Sequence, residues 1–162
     1  MDEDRNRTKE ILGFSFIMLA GLAVTIWGGR IVYQALASLS WPSCPGRVVS
    51  SQVKDISHEP RDGPSYWAEV VYRYTVDGKE YTSENVFFGQ YSSGSPGPAR
   101  RLVDRYPEGK KVTVYYNPDN PAEAVLETGF SWATFGVLVI GLIFAAVGAG
   151  GIWYMLAAAE KK

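Results

Sequence analysis

Apolar residues along the chain follow two patterns. Residues 11–29 (ILGFSFIMLAGLAVTIWGG) and 128–159 (TGFSWATFGVLVIGLIFAAVGAGGIWYMLAAA) hold no Asp, Glu, Lys or Arg and are apolar on every side. The stretch between them alternates apolar and polar positions and is punctuated by Gly, Pro, Asn and Asp. Each apolar run is long enough to span, since a hydrocarbon core of about 30 Å takes about 20 helical residues. The competing reading is two buried helices of a soluble protein, but an intervening chain of about ninety residues is too small to cover helices apolar all round. The expected organisation is a tail (1–10), a first transmembrane helix (11–39), a β domain (40–129), a second transmembrane helix (130–159) and a tail (160–162).

Ala35-Leu36-Ala37 before Ser38 has the small-x-small form of a signal cleavage site. The hydrophobic stretch exceeds a signal core, and the leading MDEDRNRTKE mixes both charge signs, so an uncleaved anchor is expected. Arg5, Arg7 and Lys9 precede the first helix and Lys161 and Lys162 follow the second, whereas only Arg30 and Arg47 lie near the other ends. Basic residues flanking helices mark the cytoplasmic side. Both termini are therefore expected in the cytoplasm and residues 41–129 outside the cytoplasmic membrane. Arg30 can snorkel to headgroups. Trp41, Trp132 and Trp153-Tyr154 fit interfacial anchors. Small residues at four-residue spacing, Gly21-Thr25-Gly29 and Gly141-Ala145-Ala149, allow close backbone approach, either between the two helices or between two copies.

Within the middle region, residues 46–53 read as a strand with Val49, Ser51 and Val53 on one face, followed by a turn-rich loop over 55–65. Residues 66–88 carry the clearest signal. Val70, Tyr72, Tyr74 and Val76 alternate with Glu69, Arg73 and Thr75, and Asp77-Gly78 supplies a two-residue turn, which predicts Tyr74 opposite Tyr81 and Arg73 opposite Thr82. Residues 89–98 (GQYSSGSPGP) are expected as a mobile exposed loop, 99–106 as a short helix with Leu102, Val103 and Tyr106 on one side, and 111–116 and 124–127 as strands. The fold class is thus a membrane α plus β protein, with two helices flanking a small antiparallel β domain of about five strands, a curled sheet or barrel-like, plus one short helix.

Composition narrows the chemistry. The 162 residues contain one Cys (Cys44) and one His (His58), too few for an intrachain disulfide or a Cys/His zinc cluster. The net charge of -1, with 10 basic and 12 acidic residues over 41–129, gives no overall attraction to nucleic acid. A mean hydropathy of -0.08 averages two apolar runs with a polar middle.

Three groups of residues then stand out: Gly46-Arg47-Val48; Tyr72-Arg73-Tyr74-Thr75-Val76-Asp77-Gly78-Lys79-Glu80-Tyr81-Thr82; and Tyr106-Pro107-Glu108-Gly109-Lys110-Lys111-Val112-Thr113-Val114-Tyr115-Tyr116-Asn117-Pro118 followed by Ala124-Val125-Leu126. Their ordered series, over about residues 41–129, resembles the domain of unknown function family 3592, small bacterial two-pass membrane proteins with an exported β domain. The resemblance implies a membrane-tethered β domain and brings no activity with it.

No residue is assigned a catalytic, metal-binding or cofactor-binding role, and no cofactor is expected. His58 beside Glu59 offers acid–base groups without a nucleophile, because Ser92, Ser93 and Ser95 lack the strand-turn-helix setting of a nucleophile elbow. Cys44 is expected as a lone thiol able to form an intermolecular disulfide. Arg100, Arg101, Arg105, Lys110 and Lys111 form the dense basic run. The expected role is non-enzymatic: an integral protein of the cell membrane that presents its β domain to another envelope protein or to itself. The alternative is a ligand-sensing or accessory subunit that binds an envelope component through an aromatic and basic surface of Tyr66, Trp67, Tyr91, Arg100, Arg101 and Arg105. The lipid bilayer is the one general partner, and nucleic acid is not expected.

Overall fold

The computed structural model describes residues 2–57, 63–130 and 132–160, with the side chains of 2–4, 6, 7, 132–134 and 158–160 outside the description. His58, Glu59 and the Trp132 ring, each singled out above, therefore lie outside the described residues. In chain order the elements are α1 (Asp2–Ala37), a 3-10 turn (Ser38–Ser40), β1 (Ser43–Asp55), β2 (Tyr66–Val76), β3 (Lys79–Ser83), α2 (Pro96–Arg105), β4 (Lys111–Asn117), β5 (Asn120–Val125) and α3 (Trp132–Glu160). They fall into two compact units, one holding residues up to Val32 with those from Thr134 onward, the other Tyr33–Ala133.

The first unit is a helix pair. Thr8–Ser40 and Phe135–Ala157 are long and apolar enough to cross a membrane, and only 11% of each apolar window is buried. Phe16, Ile26, Trp27, Ile143 and Trp153 are exposed, the reverse of a helix in the core of a soluble domain. The helices meet along glycines. A Cβ on Gly28 would lie 2.7 Å from Leu138 N, on Gly141 2.5 Å from Thr25 N, and on Gly148 2.5 Å from Met18 N, while Gly21 faces the Phe144–Ala145 backbone and Gly151 the Phe14 ring. As the numbers climb from Phe14 to Gly28 they descend from Gly151 to Leu138, so the helices run antiparallel. The Thr25 hydroxyl donates to Gly21 O at 2.8 Å, which satisfies it inside an apolar helix.

This seam corrects the stripe expected from four-residue spacing. Gly29 faces open space and Ala149 is exposed; Gly28 and Gly148 take their places. With about 3.6 residues per turn, a straight contact line advances by alternating steps of four and three, so a strict step of four drifts off the interface. The close approach is made between the two helices of one chain.

In the second unit, five antiparallel strands form one open sheet in the order β3-β2-β1-β4-β5. The β2–β3 hairpin follows the sequence expectation, with Tyr74 opposite Tyr81 and Arg73 opposite Thr82. Asp77 (φ 49°) and Gly78 (φ 79°) both adopt the left-handed conformation of a primed turn, whose twist matches the strands. Alternation in β2 buries Ala68, Val70, Tyr72, Tyr74 and Val76.

β1 departs from its expected face. The register shifts between Val48 and Ser50, so that Val49 is bulged out; Val48 pairs with Tyr72, and Ser51 pairs with Val70. Val48 is therefore in the core, and Ser51 and Val53 share its side, because one extra residue flips the parity of the strand. Gly46 is also inward. A Cβ there would lie 2.6 Å from Val114 Cγ2 and 2.9 Å from Arg73 O.

Further boundaries differ. α2 begins at Pro96 rather than residue 99, because Ser95 caps it by accepting from Gly97 N and proline is tolerated in a first turn. The stretch before it is organised: Tyr66 and Ser93 exchange backbone hydrogen bonds of 2.8 and 3.0 Å, and the Gln90 amide donates to Ala68 O at 2.8 Å. β5 starts at Asn120, four residues early, after a turn in which Asn117 Oδ1 accepts from Asp119 N. As an edge strand it can carry Pro121.

The sheet curls so that its two edges face each other without joining in a ladder. Long inward side chains cross the gap. The Tyr72 hydroxyl lies 2.8 Å from both Asn85 O and Ala124 O, and the Tyr74 hydroxyl donates to Pro121 O at 2.6 Å. Backbone bonds from Leu126 N and Glu127 N to Val86 O add to the closure. Leu102 and Tyr106, at the end of α2 and just past it, pack on the same core. Ser38 is fully buried, donates to Ala35 O and accepts from Gly129 N, which ties residue 38 to the end of the β unit.

Candidate functional site

Where α2 lies over the sheet it leaves a recess of about 180 Å³. Ala68 of β2, Phe87, and Ala99 and Leu102 of α2 form its apolar walls. Tyr91, Gln90, Arg101, Arg105 and Glu127 supply the polar rim. α2 presents Arg101 and Arg105 together because residues four apart share a helix face. The loop after β3 is held in place by Gln90, whose side chain donates to Ala68 O and accepts from Val86 N.

The rim has a defined charge arrangement. Glu127 accepts from Arg105 Nη1 at 2.6 Å and from the Tyr106 hydroxyl at 2.9 Å. The Arg105 guanidinium is held in its charged form chiefly by the Glu127 hydrogen bond. The Tyr106 hydroxyl is pushed up, first by burial and then by its bond to Glu127, so it remains a donor at any physiological pH. Lys110 donates to Arg105 O and sits 5.2 Å from the centre of the Tyr106 ring. Of the two cations that border the recess, Arg105 pairs with Glu127 and Arg101 does not.

The structure brings together part of the surface expected from sequence. Tyr91, Arg101 and Arg105 border the recess; Tyr66, Trp67 and Arg100 do not. Tyr66 and Trp67 are successive residues of a strand, so they point to opposite sides of the sheet, and one cleft cannot hold both. Arg100 is one step round the helix from Arg101 and is exposed. Phe87, Gln90 and Glu127 escaped the sequence reading because each reaches the recess through a loop path with no periodicity.

Cys44 faces inward, opposite Val114, and packs against the core. Burial raises its thiol, which opposes formation of the reactive thiolate. The intermolecular disulfide expected there would require the side chain to leave the core. Trp41, expected as an interfacial anchor, packs edge-on against Phe88 at 5.6 Å. Among the described residues no group of three His, Cys, Asp or Glu gathers as a metal site.

Compared with known proteins, residues 44–131 match a family model described as a domain of unknown function (DUF3592). No curated protein matches the chain.

Proposed function

The chain belongs to the DUF3592 family, and from that premise we propose that it is a non-enzymatic, two-pass protein of the cytoplasmic membrane that presents its β unit, outside that membrane, to another envelope protein or to itself. One observation carries this reading. The helix pair is closed along its glycine face, yet leaves large apolar side chains exposed on its other faces, a surface that a lipid bilayer would cover. The positive residues flanking the helices support cytoplasmic termini. Retention of the first helix is supported by Ser38, because cleavage before it would remove Ala35, whose carbonyl accepts the Ser38 hydroxyl.

The glycine face is already occupied within the chain, so association through the β unit is favoured over a glycine-mediated dimer. Its inner tyrosines act as struts, with hydroxyls committed to backbone carbonyls. That arrangement supports a rigid presenting surface rather than a reaction centre. The recess bordered by Tyr91 and Arg101 favours a second reading, recognition of a small acidic group, since its volume is below the range of about 300–1,000 Å³ usual for drug-sized ligands.

The test is site-specific photo-crosslinking at Tyr91 in native membranes, with accessibility of Ser92→Cys to a membrane-impermeant thiol reagent read in intact cells. Labelling from outside and one discrete adduct that weakens with Arg101→Ala are expected. Labelling only after lysis would overturn the orientation. A crosslink-free monomer would overturn the interaction role.

A further inference from the structure

The outer face of the sheet, turned away from the core, carries charge that the fold leaves uncompensated. Arg73 of β2 stands directly opposite Arg47 of β1, and Arg47 directly opposite Lys111 of β4. All three are exposed and share one face, so they form a row of cations across three adjacent strands. Opposed residues of antiparallel strands are about 5 Å apart, a register in which like charges repel.

Elsewhere on the same face the chain supplies an acid where it sets a cation. Glu69 pairs with Lys54 and accepts from Gln52 at 2.6 Å. The basic row is treated differently. Among the described residues one carboxylate pairs with it, Glu80, at 3.5 Å from Arg73 Nε. Arg47 gives one N–H to Gly109 O at 3.1 Å, which leaves most of its five donors free. Around the row lies an open trough of about 510 Å³, bordered also by Pro45, Val49 and Thr75. The Val49 bulge, two residues beyond Arg47, sets the parity that keeps Arg47 outward while Val48 enters the core.

We propose that this trough binds a phosphomonoester, a terminal dianionic phosphate group. Three cations and Glu80 leave a net charge of +2 on the row, and a phosphomonoester carries about -1.5 to -2 at neutral pH. Two guanidinium forks match phosphate oxygens in bidentate fashion, and Lys111 adds a point charge. A carboxylate, or the singly charged phosphodiester of a common lipid headgroup, leaves part of the row unmet. The site is separate from the recess under α2, which lies on the other side of the sheet, and it adds a ligand class to the interaction role proposed above without depending on it.

The experiment uses the full chain in nanodiscs of neutral phosphatidylcholine, titrated with inorganic phosphate at mildly alkaline pH and followed by calorimetry and thermal unfolding. Saturable binding that raises the unfolding midpoint is expected. Arg47→Gln and Arg73→Gln should each weaken binding at least tenfold, and Arg100→Gln should leave it within twofold. Without phosphate, Arg47→Gln should raise the midpoint, because it removes the middle charge of a repelling row. Lys111→Gln, at the end of the row, gives the same reading if an arginine variant misfolds. Absence of saturation, or equal losses from Arg100→Gln and Arg47→Gln, would overturn the site. Tighter binding to phosphatidylglycerol vesicles than to phosphate would overturn the phosphomonoester in favour of a lipid headgroup.

Discussion

Between α1 and α3 the chain brings two backbones together by removing side chains, at Gly21, Gly28, Gly141 and Gly148. Inside the β unit it does the opposite. There it inserts long side chains with polar tips, so that Tyr72 and Tyr74 span the curl of the sheet and end on the carbonyls of Ala124 and Pro121. The difference fits the surroundings proposed for each unit, lipid for the helix pair and water for the β unit. In lipid, burying apolar area against another helix gains little over burying it in acyl chains, so close van der Waals approach is what remains to hold a pair. In water, apolar burial drives closure, and the difficulty is the backbone carbonyl at a strand edge that loses its hydration. A tyrosine answers both needs with one side chain.

Truncating the struts should separate the two regions most sharply. Tyr72→Ala leaves a cavity and two underserved carbonyls, and a loss of about 3–5 kcal/mol is expected for the β unit. Hydrogen exchange should show the amides of β2 and β5 opening while those of α1 and α3 keep their protection. Protection lost in both units would mean that they fold as one.

The converse substitution, Gly141→Leu, places a large side chain against the Thr25 backbone. Overpacking of this kind costs about 1–3 kcal/mol or more. Hydrogen exchange at the amides of α1 and α3 along the seam should quicken with Gly141→Leu and be unchanged with Gly150→Leu, since Gly150 faces open space.

Alkaline titration tests the struts without truncating them. Burial, the largest cause, pushes the Tyr74 hydroxyl up to about 12 from its ordinary 10, and burial raises Tyr72 further in the same direction. Between those values the unfolded chain loses the proton while the folded chain keeps it, so stability falls as pH rises. The contribution is therefore fully present below about pH 10 and is lost from there upward. The β unit should unfold in that window, and Tyr74→Phe should make its pH dependence shallower. The part of the tyrosinate absorbance that Tyr74→Phe removes should rise only as the β unit unfolds; its rise at the ordinary pKa without unfolding would show that this hydroxyl is solvated.

The smallest effect is expected at the rim of the recess. Glu127→Gln removes the charge that holds Arg105, and a partly exposed pair of this kind contributes about 0–1 kcal/mol. The midpoint should move little, while a crosslinker at Tyr91 should report a changed recess.

Much of the β unit was legible where contacts are local. The Tyr74–Tyr81 pair followed from two residues of positive φ between alternating strands, because a two-residue turn leaves one register open. The Val49 bulge was not legible, since the residues on either side of it satisfy both parities equally well. Which of Tyr66, Trp67 and Tyr91 border the recess was not legible for a related reason: Tyr66 and Trp67 are successive residues of β2 and so take opposite faces, and Tyr91 alone of the three lines it. The row of Arg73, Arg47 and Lys111 was beyond reach, because its members come from three separate motifs and meet only when β1 takes its place between β2 and β4.

The amino-acid sequence by itself determined the two apolar helices, the intervening β unit and its central hairpin, because helix length, hydrophobic period and turn chemistry act over a few residues at a time. Only the tertiary structure decided which glycines form the seam, which face of β1 enters the core, and which charges stand side by side. Those outcomes depend on register between segments far apart in the chain, where a shift of one residue exchanges inside for outside.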